Sequence, residues 1–247
     1  MCWRAVRRVG GVRAVVSVTT DKCYDNRERL WGYREGEAPG GHDPYSSSKG
    51  AAEIVTAAYR RSFFASGNCA VASARVGNVT GGGDWAADRL VPDLLRAFEQ
   101  RQPVILRSPH ATRPRQHALE RLAGYLALAE ALHSQGQAVA EAEAWNFGPA
   151  DDDTKPVQWI VERLARLRRD GARWDLDASP LPHEAHALQL DCSKARQRLA
   201  WQPTWTLDEA LTRIVHWHQA WLAGADMHSQ TLREIHNYKQ DLNRSTA

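Results

Sequence analysis

Two short groups of polar residues near the beginning of the chain carry side chains that can move protons and a hydride. Thr20, Asp21 and Lys22 follow an apolar run and bring a hydroxyl, an acid and a base to one strand end. Tyr45 and Lys49 stand four residues apart at the start of a predicted helix, where that spacing puts both side chains on one face. An adjacent ammonium stabilises the phenolate that general-base catalysis by tyrosine requires. Together these residues predict a hydride-transfer site that works with a nicotinamide cofactor.

The tyrosine–lysine pair has a second interpretation, as an ordinary exposed pair on a helix. The spacing alone does not distinguish the two. The position of the pair does, because its helix follows a buried strand, 12–19, that ends in Thr20 and Asp21. Ligands of α/β sheets bind at the carboxyl ends of parallel strands. The position therefore favours a functional pair.

The elements that would position these residues alternate between strand and helix along most of the chain. Apolar runs predict strands at 12–19, 70–76, 103–106, 144–147 and 187–191. Helical patterns cover about 45–65, 90–99, 119–134, 157–169 and 207–222. This alternation is typical of a parallel sheet with helices on both faces. We therefore predict an α/β fold: an incomplete doubly wound, Rossmann-like parallel sheet with a smaller C-terminal substrate-binding lobe.

Three regions are predicted along the chain. Residues 1–77 would form the C-terminal half of a nucleotide-binding domain and carry the catalytic candidates. Residues 78–225 would form mainly the substrate-binding lobe, with some elements returning to the sheet, and 226–247 a polar tail that frays. No glycine-rich dinucleotide-binding turn precedes the first predicted strand. We therefore expect an N-terminally truncated chain that is inactive unless it is supplemented.

Composition and charge exclude several classes of protein. Hydrophobic residues make up 43% and charged residues 25% of the chain, as in globular domains, and no apolar run is long enough to span a bilayer. The formal charge of +3 comes from interspersed residues, so no nucleic-acid partner is predicted. The four cysteines lack C-x-x-C spacing, so neither a metal site nor a disulfide framework is expected. Reduced thiols predict a cytoplasmic location.

Three segments carry a resemblance to a known family: VTTDKCY, GGHDPYSSSKGAAE and ARVGNVTGGGDWAADRLVPD. They resemble the extended short-chain dehydrogenase/reductase family, and WGYRE, RPRQH, WNFGP, PHEAH and LDCSKA extend the likeness from about Val12 to near Met227. Within that family the chain is similar to the dehydratases that act on CDP-glucose. The related enzymes for dTDP-glucose and GDP-mannose carry an acidic residue where Lys22 stands here.

The resemblance implies NAD as cofactor, held in part by Tyr45 and Lys49. Tyr45, helped by Lys49 and Thr20, would remove the proton of the sugar 4-hydroxyl while C4 gives up a hydride. Lys22 would then help to remove the C5 proton, and Asp21 would protonate the departing 6-hydroxyl. Return of the hydride to C6 would make the net reaction a loss of water. Whether Lys22 acts as the base or positions a water stays open.

The resemblance also implies six substrate-binding residues. Those at the nucleotide diphosphate are Asn78, Arg89 and Arg113, and those lining the nucleotide and sugar pocket are Asn146, Glu184 and His186. Arginine suits the diphosphate because its guanidinium binds two oxygens at once. Without the family, each of these residues also reads as an ordinary surface, turn or strand-edge residue.

One residue inside the motifs departs from the family. The segment commonly written RPWQH has an aromatic third residue, whereas this chain has Arg115. This adds a charge near the expected diphosphate. The sequence does not decide whether that charge strengthens phosphate binding or disturbs packing.

The resemblance implies a homodimer formed through the helix at about 45–65. Two other functions stay open. A nucleotide-sugar 4-epimerase or reductase is disfavoured by Asp21 and Lys22, since epimerisation eliminates no 6-hydroxyl. A non-catalytic nucleotide-sugar-binding remnant would bind a CDP-sugar without turnover.

Overall fold

The computed structural model describes residues 3–65, 69–106, 108–134, 142–168, 174–176 and 188–245. In chain order, their helices and strands are α1 (Trp3–Val9), β1 (Ala14–Val18), α2 (Pro44–Phe63), β2 (Ala70–Val76), β3 (Asn78–Thr80), α3 (Leu90–Glu99), β4 (Val104–Leu106), β5 (Arg115–His117), α4 (Ala118–Ser134), β6 (Ala144–Phe147), α5 (Val157–Arg168), β7 (Trp174–Leu176), α6 (Ser193–Leu199), α7 (Leu207–Leu222) and α8 (Met227–Ser245). Short 3-10 turns occur at Asp21–Cys23 and Asp151–Asp153. The predicted α/β class is confirmed.

The chain divides into two compact units, each assembled from separate stretches of sequence. The first unit consists of Met1–Gly77, Arg121–Gly148 and Leu188–Gln202. The second consists of Asn78–Glu120, Pro149–Ala187 and Pro203–Ala247. The first break therefore falls after Gly77, where the sequence analysis puts its first boundary.

A three-stranded parallel sheet with the order β1–β2–β6 forms the base of the first unit. Every residue of the central strand β2 is buried, as expected for a parallel strand covered on both faces. Alternate residues point to opposite faces of a strand. Ala72 of β2 belongs to a cluster that contains Leu128 of α4, whereas Val71 packs in a cluster with Trp3 of α1. Helices therefore cover both faces of β2.

The second unit combines two pairs of parallel strands with a helical core. Strand β3 pairs with β5, and β4 pairs with β7. Helices α3, α5 and α7 bury their apolar faces in one cluster that includes Leu94, Leu164 and Leu211. Helix α7 begins with a reciprocal cap, in which Thr206 and Glu209 satisfy each other's backbone N–H groups.

The predicted fraying of the polar tail is wrong, because residues Met227–Ser245 form helix α8. The polar sequence of α8 conceals one buried side chain, Tyr238, which is 4% exposed. Its ring meets Trp205 edge-on at 4.8 Å between centroids, and its hydroxyl donates a 3.1 Å hydrogen bond to Glu120. These contacts stabilise a segment whose composition predicts fraying.

The predicted strand at 187–191 is also wrong for its described part, 188–191. Leu190 makes only an isolated bridge with Tyr33. The Tyr33 N–H donates to the Gln189 carbonyl and the Asp191 N–H to the Tyr33 carbonyl, both at 2.9 Å. The apolar run is buried because it packs on a loop rather than extending the sheet. Within the described ranges, none of the helices combines the length and apolar character needed to cross a membrane.

Candidate active site

The polar triplet after β1 is folded into a tight turn. Thr20 caps the 3-10 turn Asp21–Cys23, and its hydroxyl donates a 2.8 Å hydrogen bond to the Asp21 carboxylate. The same hydroxyl oxygen accepts from the Lys22 N–H at 3.4 Å. Asp21 is only 4% exposed, whereas Lys22 lies at the surface. One turn thus presents a buried acid beside an exposed ammonium.

Burial sets the acidity of Asp21. Desolvation raises the pKa of this carboxyl above its ordinary value, and the hydrogen bond from Thr20 and the charges of Arg121 and Lys22 only partly oppose the rise. A raised pKa favours the protonated form, which can donate a proton. The geometry therefore suits Asp21 to the role of a general acid.

The first turn of α2 is fixed by a cap that the sequence segment GGHDPYSSSK provides. Asp43 accepts from the Ser46 N–H at 3.0 Å and from the Ser46 hydroxyl at 2.5 Å, and these bonds lower the pKa of Asp43. Pro44 occupies the first helical turn, where its missing N–H is harmless. A Cβ on Gly41 would lie 2.5 Å from the Ser46 Cβ, so only glycine fits there. The cap holds the turn that carries Tyr45.

Tyr45 lies between two ammonium groups. Its side chain is 53% exposed, and the Lys49 Nζ lies 5.3 Å from the ring centroid. The Lys22 Nζ approaches the same ring to 5.8 Å. The structure thus brings the triplet after β1 and the tyrosine–lysine pair of α2 together. Their catalytic roles stay predictions.

Glu53 lies on α2 about one helical turn after Lys49 and anchors the helix to the sheet. It is buried and accepts hydrogen bonds from the Thr19 and Ser73 hydroxyls and from the Arg75 Nη2, the last at 2.8 Å. Burial alone would raise the pKa of Glu53, but its hydrogen bond and charge contact with Arg75 hold it below the ordinary value. Glu53 is therefore ionised and paired with Arg75.

Arg75 extends this network into the loop after the triplet. Its Nη1 donates to the Tyr24 hydroxyl at 2.9 Å and to the Glu35 carbonyl at 3.0 Å. The Tyr24 hydroxyl in turn donates to the Asn146 side-chain oxygen at 2.7 Å. The sequence analysis missed Glu53, Arg75 and Tyr24. A signal was present in Arg75, a charged residue inside the mostly apolar strand β2.

Asn146 is fully buried, and its side-chain amide is hydrogen-bonded to other groups of the protein. Its Nδ2 donates to the Tyr33 carbonyl at 2.8 Å and to the Asp191 carbonyl at 3.2 Å, and its N–H donates to Glu35 at 3.0 Å. These contacts hold two loops to β6. They support a positioning role for Asn146, and direct contact with a substrate stays a prediction.

The residues predicted for the diphosphate lie in the second unit. Asn78, at the start of β3, donates its N–H to the Pro114 carbonyl at 2.9 Å. Arg89 occupies the N-cap position of α3 without a side-chain cap bond, and its Nη1 lies 3.3 Å from Asp84. The Arg113 Nη1 donates to the Thr112 carbonyl at 3.0 Å. Their substrate contacts stay predictions. Glu184 and His186 lie outside the described residues.

The described cysteines and acids outside this site offer neither a metal-binding cluster nor a reactive thiol. In the described residues, no group of three His, Cys, Asp or Glu side chains is placed to hold a metal ion. Cys23, Cys69 and Cys192 are buried free thiols. Burial raises the pKa of Cys23 and of Cys192 to about 12, which makes both poor nucleophiles at neutral pH.

Comparison with known protein sequences gives two matches that cover most of the chain. A family model described as GDP-mannose 4,6 dehydratase matches residues 3–214. A CDP-glucose 4,6-dehydratase of Salmonella typhimurium is 54% identical over 238 residues, which are 94% of this chain and 66% of that protein. The chain thus spans just under two thirds of the length of this relative.

Solved structures with a similar fold include two nucleotide-sugar enzymes. A dTDP-glucose 4,6-dehydratase from Bacillus anthracis, in complex with NAD, gives a TM-score of 0.71 at 19% identity, covering 88% of this chain and 65% of that one. A UDP-glucuronic acid 4-epimerase from Bacillus cereus, in complex with UDP-glucuronic acid and NAD, gives a TM-score of 0.71 at 20% identity, covering 85% and 62%. At these identities the likeness establishes the fold alone.

Proposed function

Because the chain belongs to the GDP-mannose 4,6-dehydratase family, we propose that it carries the catalytic and substrate-binding residues of an NAD-dependent 4,6-dehydratase acting on CDP-glucose. The choice of CDP-glucose rests on the 54% identity to the Salmonella typhimurium dehydratase of that name. The observation that carries the proposal is the juxtaposition of buried Asp21 and exposed Lys22 with Tyr45. An acid and a base side by side serve both ends of a water elimination.

The chemistry of the donor set near Tyr45 fits a nicotinamide cofactor. An exposed phenol and an adjacent ammonium can donate hydrogen bonds to ribose hydroxyls, which makes Tyr45 and Lys49 the residues that would hold the ribose. When bound, NAD supplies a hydride acceptor for C4 and a hydride donor for C6.

Tyr45 begins the reaction as the general base. As a phenolate it takes the proton of the sugar 4-hydroxyl, and the ammonium group of Lys49, which lies 5.3 Å from the ring centroid, offsets the phenolate charge. Thr20 supports the next step, because its hydroxyl donates to Asp21 and fixes the carboxyl group.

Asp21 and Lys22 then divide the elimination between them. The C4 ketone acidifies the C5 proton, which Lys22 removes directly or through a water that it holds. The C6–O bond breaks as Asp21 delivers its proton to the leaving hydroxyl, so that one water departs. The raised pKa of Asp21 supports this role, since the carboxyl must be protonated before the step.

We propose that Asn78, Arg89 and Arg113 bind the diphosphate of the substrate. Two guanidinium groups in one unit support this assignment, because arginine binds phosphate oxygens in pairs.

A cytoplasmic location is part of the same proposal, and the free thiols of the described residues support it.

We also propose a homodimer formed through α2. Three of its apolar side chains are exposed in the single chain, Ile54 at 58%, Val55 at 36% and Phe63 at 45%. A helix that exposes such residues is suited to pairing with a second copy. Light scattering of the wild-type chain and of Ile54→Glu tests this, and a wild-type monomer at micromolar concentration would contradict it.

Two measurements test the proposed reaction. With the chain supplemented by a glycine-rich nucleotide-binding half, calorimetry should show one NAD site and one CDP-glucose site, and mass spectrometry should show CDP-glucose losing one water when both ligands are present. UDP-glucose serves as the matched control and should bind more weakly. Binding of neither ligand, or conversion of CDP-glucose to an isomer of unchanged mass, would overturn the proposal.

A further inference from the structure

Arg115 is a feature of the second unit that the proposed reaction leaves unexplained. It begins strand β5 and pairs in parallel register with Asn78 of β3. Its Nε is buried and has no hydrogen-bond partner among the described residues. Arg115 as a whole is partly exposed, but a buried guanidinium nitrogen without an acceptor is unfavourable, because burial removes its hydration without replacing it. Its retention therefore points to a ligand.

The charges around Arg115 have the same sign as its own. Burial, followed by the nearby charges of Arg113 and Arg89, lowers the pKa of Arg115 to about 10. Among the described residues, no carboxylate offsets these effects on Arg115, whereas Arg89 is paired with Asp84 at 3.3 Å. Arg89 also stands at the N-terminus of α3, where the helix contributes a partial positive charge. The cluster of Arg89, Arg113 and Arg115 is thus positively charged without an internal counterion for Arg115.

We propose that Arg115 is a third guanidinium of a diphosphate-binding site formed with Arg89 and Arg113 in the second unit. The proposal deepens the proposed function and rests on it for naming the diphosphate as that of a nucleotide sugar. A diphosphate carries several acceptor oxygens and more than one negative charge, so it can satisfy three guanidinium groups where one carboxylate cannot. Arg115 would thus be a further substrate-binding residue of this chain.

Titration of inorganic diphosphate and of CDP tests the site. Arg115→Met should weaken binding of both by at least about tenfold, as expected for the loss of a charge-assisted pair. Arg115→Lys should give an intermediate loss, because it keeps the charge and loses the planar fork. The matched control is Arg166→Met on α5, whose side chain is 73% exposed and pairs with Glu162. It should bind within about twofold of wild type.

Thermal unfolding without ligand separates a binding role from a structural one. If Arg115 awaits an anion, Arg115→Met should unfold at a higher temperature than wild type, since it removes a partly buried charge whose Nε has no acceptor among the described residues. Saturating inorganic diphosphate should reverse that order, because only wild type gains the ligand's stabilisation in full. A variant that unfolds at a lower temperature and keeps its diphosphate affinity would overturn the proposal.

The outcomes also separate this inference from the proposed reaction. Loss of diphosphate affinity in Arg115→Met, with no dehydration of CDP-glucose by wild type, would uphold the site and reject the reaction. Dehydration by wild type with an unchanged KM in Arg115→Met would uphold the reaction and reject the site. Failure of wild type to bind inorganic diphosphate or CDP would reject the site.

Discussion

The Tyr24 hydroxyl donates a 2.7 Å hydrogen bond to the side-chain oxygen of Asn146, and both side chains are buried. Tyr24 follows the turn that carries Asp21 and Lys22, whereas Asn146 lies in β6. The bond therefore ties the loop beyond the candidate acid and base to the sheet beneath it. Because Arg75 donates to the same hydroxyl at 2.9 Å, the phenol is the link between two buried polar groups.

Tyr24→Phe should destabilise the fold by about 1–3 kcal/mol, because it leaves buried polar groups of Arg75 and Asn146 short of a partner. Urea unfolding measures the change in the free energy of unfolding. Tyr59→Phe is the matched control, since the Tyr59 hydroxyl makes no recorded hydrogen bond with the described residues and its loss should cost less than about 0.5 kcal/mol. Equal losses in both variants would contradict the assigned role of Tyr24.

Asp21→Asn should raise the free energy of unfolding at neutral pH. The native pKa of Asp21 is raised by burial, so wild type loses stability as pH rises through that pKa, and asparagine avoids the loss. The advantage should vanish as pH falls below about 4, the ordinary pKa of an aspartate. Urea unfolding at several pH values measures it.

Asp43→Asn is the control for this experiment, because it should change the free energy of unfolding at neutral pH in the opposite direction. Hydrogen bonds from Ser46 lower the pKa of Asp43, so its contribution to stability is present above the ordinary aspartate pKa and is lost as pH falls. The variant should therefore be the less stable protein at neutral pH and match wild type in acid. Two variants with the same sign would refute the account of Asp21.

Tyr45→Phe should lower kcat for dehydration by about 10²–10⁴-fold and leave the affinity for CDP-glucose nearly unchanged. The hydroxyl serves the proton transfer, whereas the ring and the cap of α2 are preserved. Calorimetry and product mass spectrometry measure the two quantities separately. Dehydration at the wild-type rate would remove Tyr45 from the mechanism.

Lys22→Ala should slow dehydration by about 10²–10⁴-fold while hydride removal from C4 survives. Lys22 is assigned to the C5 proton, as a neutral amine or through a water that it holds, so the earlier step at C4 does not need it. Loss of deuterium from C4-labelled CDP-glucose reports the first step, and release of water reports the second. Arg27→Ala, a nearby exposed charge, should change neither. Parallel loss of both steps in Lys22→Ala would contradict the division of labour.

Tyr238→Ala should cost about 3–5 kcal/mol, because it removes a buried aromatic ring that packs edge-on against Trp205. Tyr238→Phe should cost only about 1 kcal/mol. Glu120 would keep the Thr204 and Trp205 N–H groups as donors at 3.0 and 2.7 Å. Chemical unfolding of both variants measures the difference, and equal costs would show that the hydroxyl rather than the ring holds α8.

The sequence predicts the elements whose signals are local. Strands β1, β2 and β6 are mostly apolar runs, and α2, α3 and α7 carry apolar residues at helical spacing, so each lies close to its predicted bounds. The triplet at Thr20–Lys22 follows the end of β1, and the pair at Tyr45 and Lys49 lies at the start of α2. The two groups come together because these two ends are adjacent.

The remaining features depend on distant partners. Helix α8 is polar, and its buried residue Tyr238 is held by contacts with Trp205 and Glu120, which are distant in the sequence. The stretch 188–191 has the apolar character of a strand, but it packs against a loop instead of joining the sheet. The sequence likewise does not reveal that Glu53 and Arg75 are buried together, since both residue types are usually exposed.

The Glu53–Arg75 pair has an evolutionary consequence. Replacing either residue alone leaves the other as an unpaired buried charge, at a cost of about 3–5 kcal/mol. Replacing both together by apolar residues can be neutral. Because Arg75 also bonds Tyr24, and Tyr24 bonds Asn146, the fitness effect of a mutation at one position depends on the other three. These four positions are epistatic, and we expect them to be inherited and replaced as a group in related chains.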